Sequence, residues 1–224
     1  MRVVLVTGTS KGLGFEVAKQ YVKLGFLVIG ISRNKPLIID ENYHHLVGDV
    51  TNTNIGPLLT TFIESLAIEK IDIVVNNAGA GSYGCHLSDL EPEEVLSQLN
   101  LHCVGALRVI KAVSSYIKGS KIVNVTSRLA SISQAVRGDF VNRDFSYGYR
   151  IAKCAQNMLS LSLANDTELS NNVIVSINPG LLQTDSGSSD AKFSAKDGAL
   201  AFIETIDNAK LSGIYHAFGE EALY

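Results

Sequence analysis

The sequence predicts a single doubly wound α/β domain in which a seven-stranded parallel sheet carries helices on both faces. Two observations predict this fold: short apolar runs alternate with helical patterns along all 224 residues, and the first run ends in a glycine-rich turn. A chain of this length has room for one well-buried α/β domain and too few residues for two. Because no repeat, linker or low-complexity segment interrupts the pattern, we expect residues 1–224 to form one domain.

Seven apolar runs have the length and composition of buried strands. In chain order the predicted strands are Val3–Thr7, Leu27–Ser32, His45–Gly48, Ile71–Asn76, Lys121–Thr126, Val173–Ile177 and Gly213–Phe218. The predicted helices between them are Gly12–Leu24, Asn54–Ala67, Pro92–Ile117, Gly148–Ala164 and Ala195–Asn208. Two loops, Leu129–Ser146 and Leu182–Ser194, follow the carboxyl ends of strands, and ligands bind at that edge of an open α/β sheet.

The third helical segment is the longest. It begins with Pro92 between acidic residues, which favours a helix start. Apolar residues then recur at steps of three and four, at Leu96, Leu99, Cys103, Ala106, Ile110, Val113 and Ile117. This periodicity predicts one continuous helix with a single apolar face.

Composition argues against several classes of function. The formal net charge is −3 and no basic stripe appears, so we expect no nucleic-acid partner. No apolar run approaches membrane-spanning length, so we expect no membrane insertion. The odd number of cysteines (Cys85, Cys103 and Cys154) and their spacing favour reduced thiols in a cytoplasmic protein, with no metal site. The histidines are scattered, and we interpret all five as surface or core residues: His44, His45, His86, His102 and His216.

The glycine-rich turn Thr7–Gly14 links the first strand to the first helix with the spacing G-x-x-x-G-x-G. Gly8 permits a tight turn, Gly12 permits close approach of the backbone to a phosphate, and Gly14 permits packing of the helix on the strand. A strand that ends in such a turn and opens a helix is the dinucleotide-binding unit of the Rossmann fold. We therefore expect a dinucleotide pyrophosphate at this turn.

Tyr149 and Lys153 lie four residues apart in a helical pattern, so both side chains are expected on one helix face. A free tyrosine has a pKa of about 10, which makes it a poor proton donor or acceptor at neutral pH. A neighbouring ammonium stabilises the phenolate, so the sequence predicts that Lys153 lowers the pKa of Tyr149.

Six motifs occur in a fixed order along the chain. They are Thr7–Gly14, Asn76–Gly79, Asn100, Ser127, the pair Tyr149 and Lys153, and Pro179-Gly180 with Thr184. The set resembles the short-chain dehydrogenase/reductase family across nearly the whole chain. The segments around Arg137–Phe145 and Tyr147–Met158 are similar to its carbonyl reductase branch, which includes sniffer-type and C-factor-type proteins.

The resemblance implies a role for each catalytic candidate. Tyr149 would give a proton to a carbonyl oxygen, and Ser127 would hydrogen bond that oxygen as it gains negative charge. Lys153 would hold the nicotinamide ribose, and Asn100 would anchor a proton-relay water. Ser131 and Ser133 are rivals of Ser127, because the interval before Tyr149 is longer than is usual in the family; Ser127 is preferred since it follows a strand directly.

The resemblance also implies a set of cofactor contacts. They are Gly8, Ser10, Lys11, Gly12, Leu13, Gly14, Ser32, Arg33, Asp49, Val50, Asn76, Ala78, Gly79, Tyr149, Lys153, Pro179, Gly180, Leu182 and Thr184. Enzymes of this type that use NAD place an acid at the end of the second strand, whereas this chain has Ser32 followed by Arg33. A hydroxyl and a guanidinium suit a 2′-phosphate, and Lys11 adds a positive charge, so the sequence predicts NADP(H).

The sequence thus predicts an NADPH-dependent oxidoreductase that reduces a ketone or aldehyde to an alcohol, with Tyr149 as general acid. The alternative is an NADP(H)-binding regulatory or signalling protein with little or no turnover, since fold and cofactor do not fix function. A sugar-nucleotide epimerase or dehydratase is disfavoured by the chain length and the glycine spacing. The resemblance implies a homodimer or homotetramer that associates through the helices carrying Asn100 and Tyr149.

Several residues near the predicted pocket allow two interpretations. Arg128 either attracts an acidic substrate or pairs with Asp139 or Asp144. The side chains of Tyr83, Phe140, Phe145 and Leu181 form pocket walls or only pack within loops. Tyr147 is expected in a loop, and Cys154 is expected to pack within its helix. The short polar segment Asp185–Lys192 predicts an open pocket or a mobile flap.

Overall fold

Seven parallel strands form the central sheet of the computed structural model, which describes residues 1–184, 187 and 191–218. The strands are β1 (Val3–Thr7), β2 (Leu27–Ser32), β3 (Tyr43–Val47), β4 (Ile73–Asn76), β5 (Lys121–Val125), β6 (Val173–Asn178) and β9 (Gly213–His216). Two short strands, β7 (Leu182–Gln183) and β8 (Phe193–Ser194), pair separately. The order across the main sheet is β3-β2-β1-β4-β5-β6-β9, which confirms the predicted fold class.

The helices are α1 (Gly12–Lys23), α2 (Ile55–Ser65), α3 (Pro92–Leu99), α4 (Gly105–Ala112), α5 (Ile132–Val136), α6 (Tyr147–Ala164) and α7 (Ala195–Asn208). They cover both faces of the sheet. One hydrophobic cluster packs strand side chains against α1 and α7, and a second packs the other face against α2 and α4. The strands read as continuous apolar runs because both faces of a parallel sheet are buried.

The chain changes direction in the middle of the sheet. From β1 it moves outward through β2 and β3, then returns to β4, which pairs with β1 on the other side. The loops that follow β1 and β4 therefore diverge and leave a crevice at their carboxyl ends, where open α/β sheets bind ligands.

The segment Pro92–Ile117 is not one continuous helix, so the prediction of a single apolar face was wrong there. A π-helical turn at Asn100–Val104 separates α3 from α4. One extra residue in a turn rotates the side chains ahead of it by about 100° relative to those behind it. As a result Leu96 is 64% exposed, whereas Gln98 and His102 are 4% and 1% exposed.

The other element ends lie within two residues of the predicted ends. One difference concerns Tyr147, which the sequence placed in a loop and which is instead the first residue of α6. Ser146 is the N-cap, and its hydroxyl accepts a hydrogen bond from the Tyr149 backbone N–H at 3.2 Å. The cap therefore fixes the start of the helix two residues before the predicted catalytic tyrosine.

Candidate active site

The glycine turn after β1 is shaped by close packing. Gly8 and Gly12 have positive φ angles of 75° and 64°, which L-residues rarely adopt. A Cβ on Gly8 would lie 2.8 Å from Asn77 Nδ2, and one on Gly14 would lie 2.4 Å from the Gly8 carbonyl oxygen. Within the described ranges, the nearest neighbour of a Cβ on Gly12 would be the Thr184 side chain, at 3.7 Å. The turn is thus a tight cradle whose open corner faces the loop after β6.

The remaining residues of the turn differ in exposure. Ser10 is half-buried, Lys11 is exposed at the N-cap of α1, and Leu13 is buried in the core beneath the turn. The turn leads into the N-terminus of α1, and a helix N-terminus favours a bound anion.

Asn77 joins the ends of β1 and β4, a role that the sequence did not assign to it. Its side-chain amide donates to the carbonyl oxygens of Thr7 and Gly8 at 2.9 and 3.3 Å. The backbone N–H groups of Asn77 and Ala78 donate to the Thr7 hydroxyl at 3.0 and 2.9 Å. These bonds set the width of the crevice. An amide side chain immediately after a strand at the crossover is the signal that would have indicated this role.

Asn76 and Gly79, on either side of this pair, contact other parts of the protein. The Asn76 amide donates to Asn124 Oδ1 at 2.9 Å and is buried in the sheet, so it supports the neighbouring strand. Gly79 lies against His102, and a Cβ there would come within 2.7 Å of His102 Cε1. Ala78 is half-buried between them.

The end of β2 is held by a network of hydroxyl groups. The Ser32 hydroxyl donates to the Asn34 carbonyl oxygen at 2.8 Å, and lies 3.0 Å from His45 Nε2 and 3.2 Å from Thr9 Oγ1. Because a carbonyl only accepts, the single Ser32 proton is already used inside the protein. Ser32 therefore shapes this turn, whereas Arg33 is exposed and its charge acts on Asp49.

Asp49 and Val50 border the same end of the crevice. Burial tends to raise the pKa of the Asp49 carboxyl, but hydrogen bonds from Thr51 and the positive charge of Arg33 hold that pKa below its ordinary value. Val50 is buried, and its side chain would lie 2.9 Å from a Cβ on Gly105. The Asp49 charge thus offsets part of the Arg33 charge.

Ser127, Tyr149 and Lys153 come together at the carboxyl end of β5. The Ser127 hydroxyl accepts a hydrogen bond from the Leu129 N–H at 3.2 Å, which caps the turn Arg128–Ala130, and is also hydrogen bonded to the Tyr149 side chain. Lys153 Nζ lies 5.8 Å from the centre of the Tyr149 ring. The spacing of four on α6 therefore brings both side chains to one site, as the sequence predicts.

Lys153 is anchored without a carboxylate. Its Nζ donates to the Val125 carbonyl oxygen at 2.6 Å and to Gln156 Oε1 at 3.1 Å, and the residue is 3% exposed. Burial lowers the pKa of Lys153 to about 7. The amine is thus poised to gain or lose a proton near neutral pH.

The pKa of Tyr149 is raised, so the prediction that Lys153 lowers it was wrong. Burial of the phenol is the largest cause, and the hydrogen bond with Ser127 opposes it only in part. Burial disfavours the phenolate, and the nearby lysine is itself partly neutral near pH 7. Tyr149 consequently holds its proton, as a proton donor must.

Among the three candidate serines, Ser127 interacts with the Tyr149 side chain. Ser131 is the N-cap of α5, where its hydroxyl accepts from the Gln134 N–H at 3.2 Å and lies 3.1 Å from the Ser133 hydroxyl. Ser131 and Ser133 thus hold the start of α5. This geometry favours Ser127 for the serine role.

Asn100 is directed toward a different part of the protein. Its amide donates to the Thr51 carbonyl oxygen at 3.4 Å, and its Oδ1 accepts from Arg108 Nη1 at 2.8 Å. Its partners therefore lie in the loop after β3 and in α4. His102 packs against Tyr149 instead, with ring centres 5.3 Å apart. Asn100 and His102 both lie in the π-helical turn, which directs His102 toward Tyr149 and Asn100 away from it. The sequence analysis interpreted His102 as a surface or core residue and did not place it beside the tyrosine.

The loop Leu129–Ser146 contains α5 and an aromatic pair. Phe140 is buried and packs edge-to-face with Phe145 at 5.8 Å, so it serves loop packing. The Arg128 guanidinium lies 5.9 Å from the Phe145 ring centre. The expected pairing of Arg128 with Asp139 or Asp144 was wrong: Asp139 binds Arg137 at 2.8 Å and Asp144 lies 3.5 Å from His86 Nε2. Tyr83 and Leu181 are exposed beside the site.

The loop after β6 borders the other side of the crevice. Pro179 and Gly180 are half-buried. Gly180 has a φ of 78°, and a Cβ added to it would lie 2.8 Å from the Phe218 ring. Leu182 is buried in the core, and Thr184 faces Gly12. The expectation of an open pocket or flap falls partly on residues 185, 186 and 188–190, which lie outside the described residues.

Three general features concern the whole described chain. All three cysteines are unpaired, and Cys154 is half-buried on the wall of an apolar groove between α5 and α6. Within the described ranges, no cluster of side chains has the composition of a metal site. No helix among those residues has the length and apolar character needed to cross a membrane.

Fold and site together define the class of protein: an oxidoreductase built on a dinucleotide-binding sheet, with a hydrogen-bonded Ser–Tyr pair beside a buried lysine. The chain belongs to the short chain dehydrogenase family, whose sequence model it matches over residues 2–194. Members of this family bind a nicotinamide cofactor.

The chain also resembles individual proteins, at sequence identities below 30%. The chain is 28% identical to the C-signal of Myxococcus xanthus over 152 residues, which are 66% of this chain and 88% of that protein. It is 26% identical to the NADPH-dependent pterin aldehyde reductase of Arabidopsis thaliana over 196 residues, 82% of this chain and 76% of that protein. The carbonyl reductase Sniffer of D. melanogaster has the same fold, with a TM-score of 0.87 at 22% identity and full coverage of both chains.

Proposed function

We propose that this protein is an NADPH-dependent reductase that converts a ketone or an aldehyde to an alcohol. The observation that carries the proposal is the hydrogen-bonded pair Ser127 and Tyr149 with the buried amine of Lys153 beside the phenol ring. A protein that only binds a nucleotide has no need of this arrangement, which favours catalysis over a purely regulatory or signalling role.

The cradle of the glycine turn fits the cofactor, because its tight glycines leave the Gly12 corner open toward Thr184. The Gly8–Gly14 backbone would hold the pyrophosphate at the N-terminus of α1. Asp49 and Val50 would border the adenine, and Ala78, Gly79, Pro179 and Gly180 would border the nicotinamide side. The bound nicotinamide supplies the hydride.

The side chains of the site supply the proton and the electrostatic support. Ser127 donates a hydrogen bond to the substrate carbonyl oxygen and so stabilises the charge that develops there. Tyr149, which keeps its proton because burial raises its pKa, donates that proton to the same oxygen. Lys153, anchored on Val125 and Gln156, then supports return of a proton to the phenol.

NADP(H) is proposed over NAD(H) on the charges around the end of β2. Arg33 is exposed where an acid would select NAD, and exposed Lys11 adds a second positive charge. Ser32 contributes by holding the turn, since its proton is bonded to Asn34. An NADPH-dependent reductase among the relatives is consistent with this choice.

The catalytic proposal is tested by NADPH oxidation with a panel of ketones and aldehydes, beginning with an activated diketone. Tyr149→Phe should lower kcat by roughly a hundredfold or more, because it removes the general acid. Tyr147→Phe is the matched control two residues away on α6 and should keep the activity. Absence of turnover across the panel, with NADPH still bound, would favour the alternative of a binding protein.

The cofactor proposal is tested with Arg33→Asp. Loss of the guanidinium and gain of a carboxylate should weaken NADPH binding by about tenfold to a hundredfold and make NADH the preferred cofactor. Dissociation constants for both cofactors measure the change, and Arg137→Asp serves as a control at an exposed arginine outside the crevice. Unchanged NADPH affinity in Arg33→Asp would refute the assignment.

We further propose a cytoplasmic location, because the three thiols are unpaired. The proposed partners besides the cofactor are a small carbonyl compound and further copies of the chain.

A further inference from the structure

Resting on the proposed function, we propose that His102 is a positioning residue of the active site. Its ring holds the Tyr149 ring, and its N–H group fastens the loop after β4 to α3. The two roles use different parts of one imidazole. They can therefore be separated by substitution.

The ring contact is direct. The His102 and Tyr149 rings stand edge-to-face, with an angle of 89° between their planes and 5.3 Å between their centres. This is a favourable geometry for two aromatic rings. His102 is 1% exposed, and Gly79 leaves room for it, since a Cβ there would lie 2.7 Å from Cε1. The imidazole is thus fixed on one side by the backbone and restrains the phenol on the other.

The hydrogen bonds around His102 determine its tautomer. Gln98 Nε2 donates to Glu94 Oε1 at 3.1 Å and to the Gly81 carbonyl oxygen at 3.4 Å, so Gln98 Oε1 remains as an acceptor. His102 Nε2 lies 3.1 Å from that oxygen and 3.3 Å from the Ala80 carbonyl oxygen. Two acceptors require a donor between them, so the proton is on Nε2.

The imidazole is neutral. Burial and the nearby Lys153 charge lower the pKa of His102 well below its ordinary value, and the bond to the Ala80 carbonyl opposes them only in part. Nδ1 is buried and has no hydrogen-bond partner among the described residues, which agrees with an unprotonated nitrogen. A neutral ring can pack beside Lys153 without repelling its ammonium form.

The N–H side of His102 holds the loop after β4 in place. The chain His102–Gln98–Glu94 reaches the Ser82 hydroxyl, which donates to Glu94 Oε1. Together these side chains hold residues 80–82 of the loop after β4 against α3. The loop continues to Gly84, whose carbonyl oxygen accepts from the Tyr147 N–H at 3.1 Å at the start of α6. Loosening this loop alters the shape of the site that the substrate enters.

Two variants separate the roles. His102→Phe keeps an aromatic ring beside Tyr149 and removes the N–H, so kcat should stay within about twofold while KM for the carbonyl substrate rises several-fold. His102→Gln keeps an N–H donor and removes the ring, so kcat should fall by about three- to tenfold with KM nearly constant. His44→Phe, on the edge strand β3, is the matched control and should change neither constant.

The ring contact also has a readout that needs no turnover. In the cofactor-free protein, NMR should show Tyr149 ring resonances displaced by the His102 ring, retained with a similar displacement in His102→Phe and lost in His102→Gln. Histidine ¹⁵N shifts should report a neutral Nε2–H tautomer between about pH 5.5 and 8. An imidazole that titrates near its ordinary pKa, or Tyr149 resonances unchanged in His102→Gln, would overturn the proposal.

The kinetic constants of the two variants test whether the two roles of His102 are separate. Equal effects of both variants on the same constant, or no effect of either, would overturn the separation of roles. Turnover with no difference between the variants refutes only the role of His102. The expected NMR contacts in a protein that reduces no carbonyl compound would instead refute the proposed function.

Discussion

At the scale of the residue, Tyr149 and Lys153 illustrate which properties spacing predicts and which it does not. A separation of four on a helix predicts that two side chains share a face, and Nζ lies 5.8 Å from the phenol ring centre. The proton affinities depend on burial, which spacing does not reveal. Burial raises the pKa of Tyr149 and lowers that of Lys153 to about 7, so both groups favour their neutral forms.

The buried lysine should make stability depend on pH. Its pKa is about 7 in the folded protein and close to 10.5 when solvated, so between these values the unfolded chain binds more protons. The free energy of unfolding should therefore rise with pH above 7, by at most ~1.4 kcal/mol per pH unit from this group. Urea titrations between about pH 7 and 9 should show a shallower rise in Lys153→Met.

Lys118→Met, which removes an exposed amine, is the control for the lysine variant and should follow the wild-type dependence. The window ends below the range in which the tyrosines titrate, since buried phenols change the slope there. Parallel curves for wild type and Lys153→Met would show that the buried amine is not responsible.

At the scale of the element, capping residues and prolines mark where a helix begins more reliably than apolar periodicity shows that a helix is continuous. Helix α7 begins at the predicted residue, where Ser194 and Asp197 form a capping box: Ser194 Oγ accepts from the Asp197 N–H at 3.1 Å, and the Asp197 carboxylate accepts from the Ser194 N–H at 3.3 Å. The start of α3 at Pro92 was likewise predicted from proline and neighbouring acids.

The π-helical turn was not predictable from apolar periodicity. The apolar residues behind it, from Ala106 to Ile117, do face the core, but the turn breaks the register with Leu96. Its sequence signal is polar instead: Gln98 and His102 stand four apart and lie on one buried face. Asn100, which the family resemblance gives as the anchor of a proton-relay water, lies in the same turn and is bonded to Thr51 and Arg108.

At the scale of the whole molecule, the seven-stranded parallel sheet with helices on both faces was predictable because buried parallel strands read as continuous apolar runs that alternate with helices. The glycine turn and the motifs after β4, β5 and β6 then mark one edge of that sheet. The loop Leu129–Ser146 was not predictable, because its folding depends on the contacts of Phe140 with Phe145 and of Arg128 with Phe145. The substrate depends on such loops, so it cannot be read from the fold.

The outer surface of α6 predicts self-association. Tyr147, Ile151 and Met158 recur at steps of four and seven on the face away from Tyr149, and Met158 is 62% exposed. Exposed apolar side chains that share one helix face favour burial against a partner. We expect a homodimer or homotetramer of the 24.1 kDa chain in light scattering. Met158→Glu with Ile151→Glu should shift it toward the monomer, whereas Leu211→Glu, at another exposed leucine, should not. A wild-type protein that is monomeric at micromolar concentration would contradict association through this face.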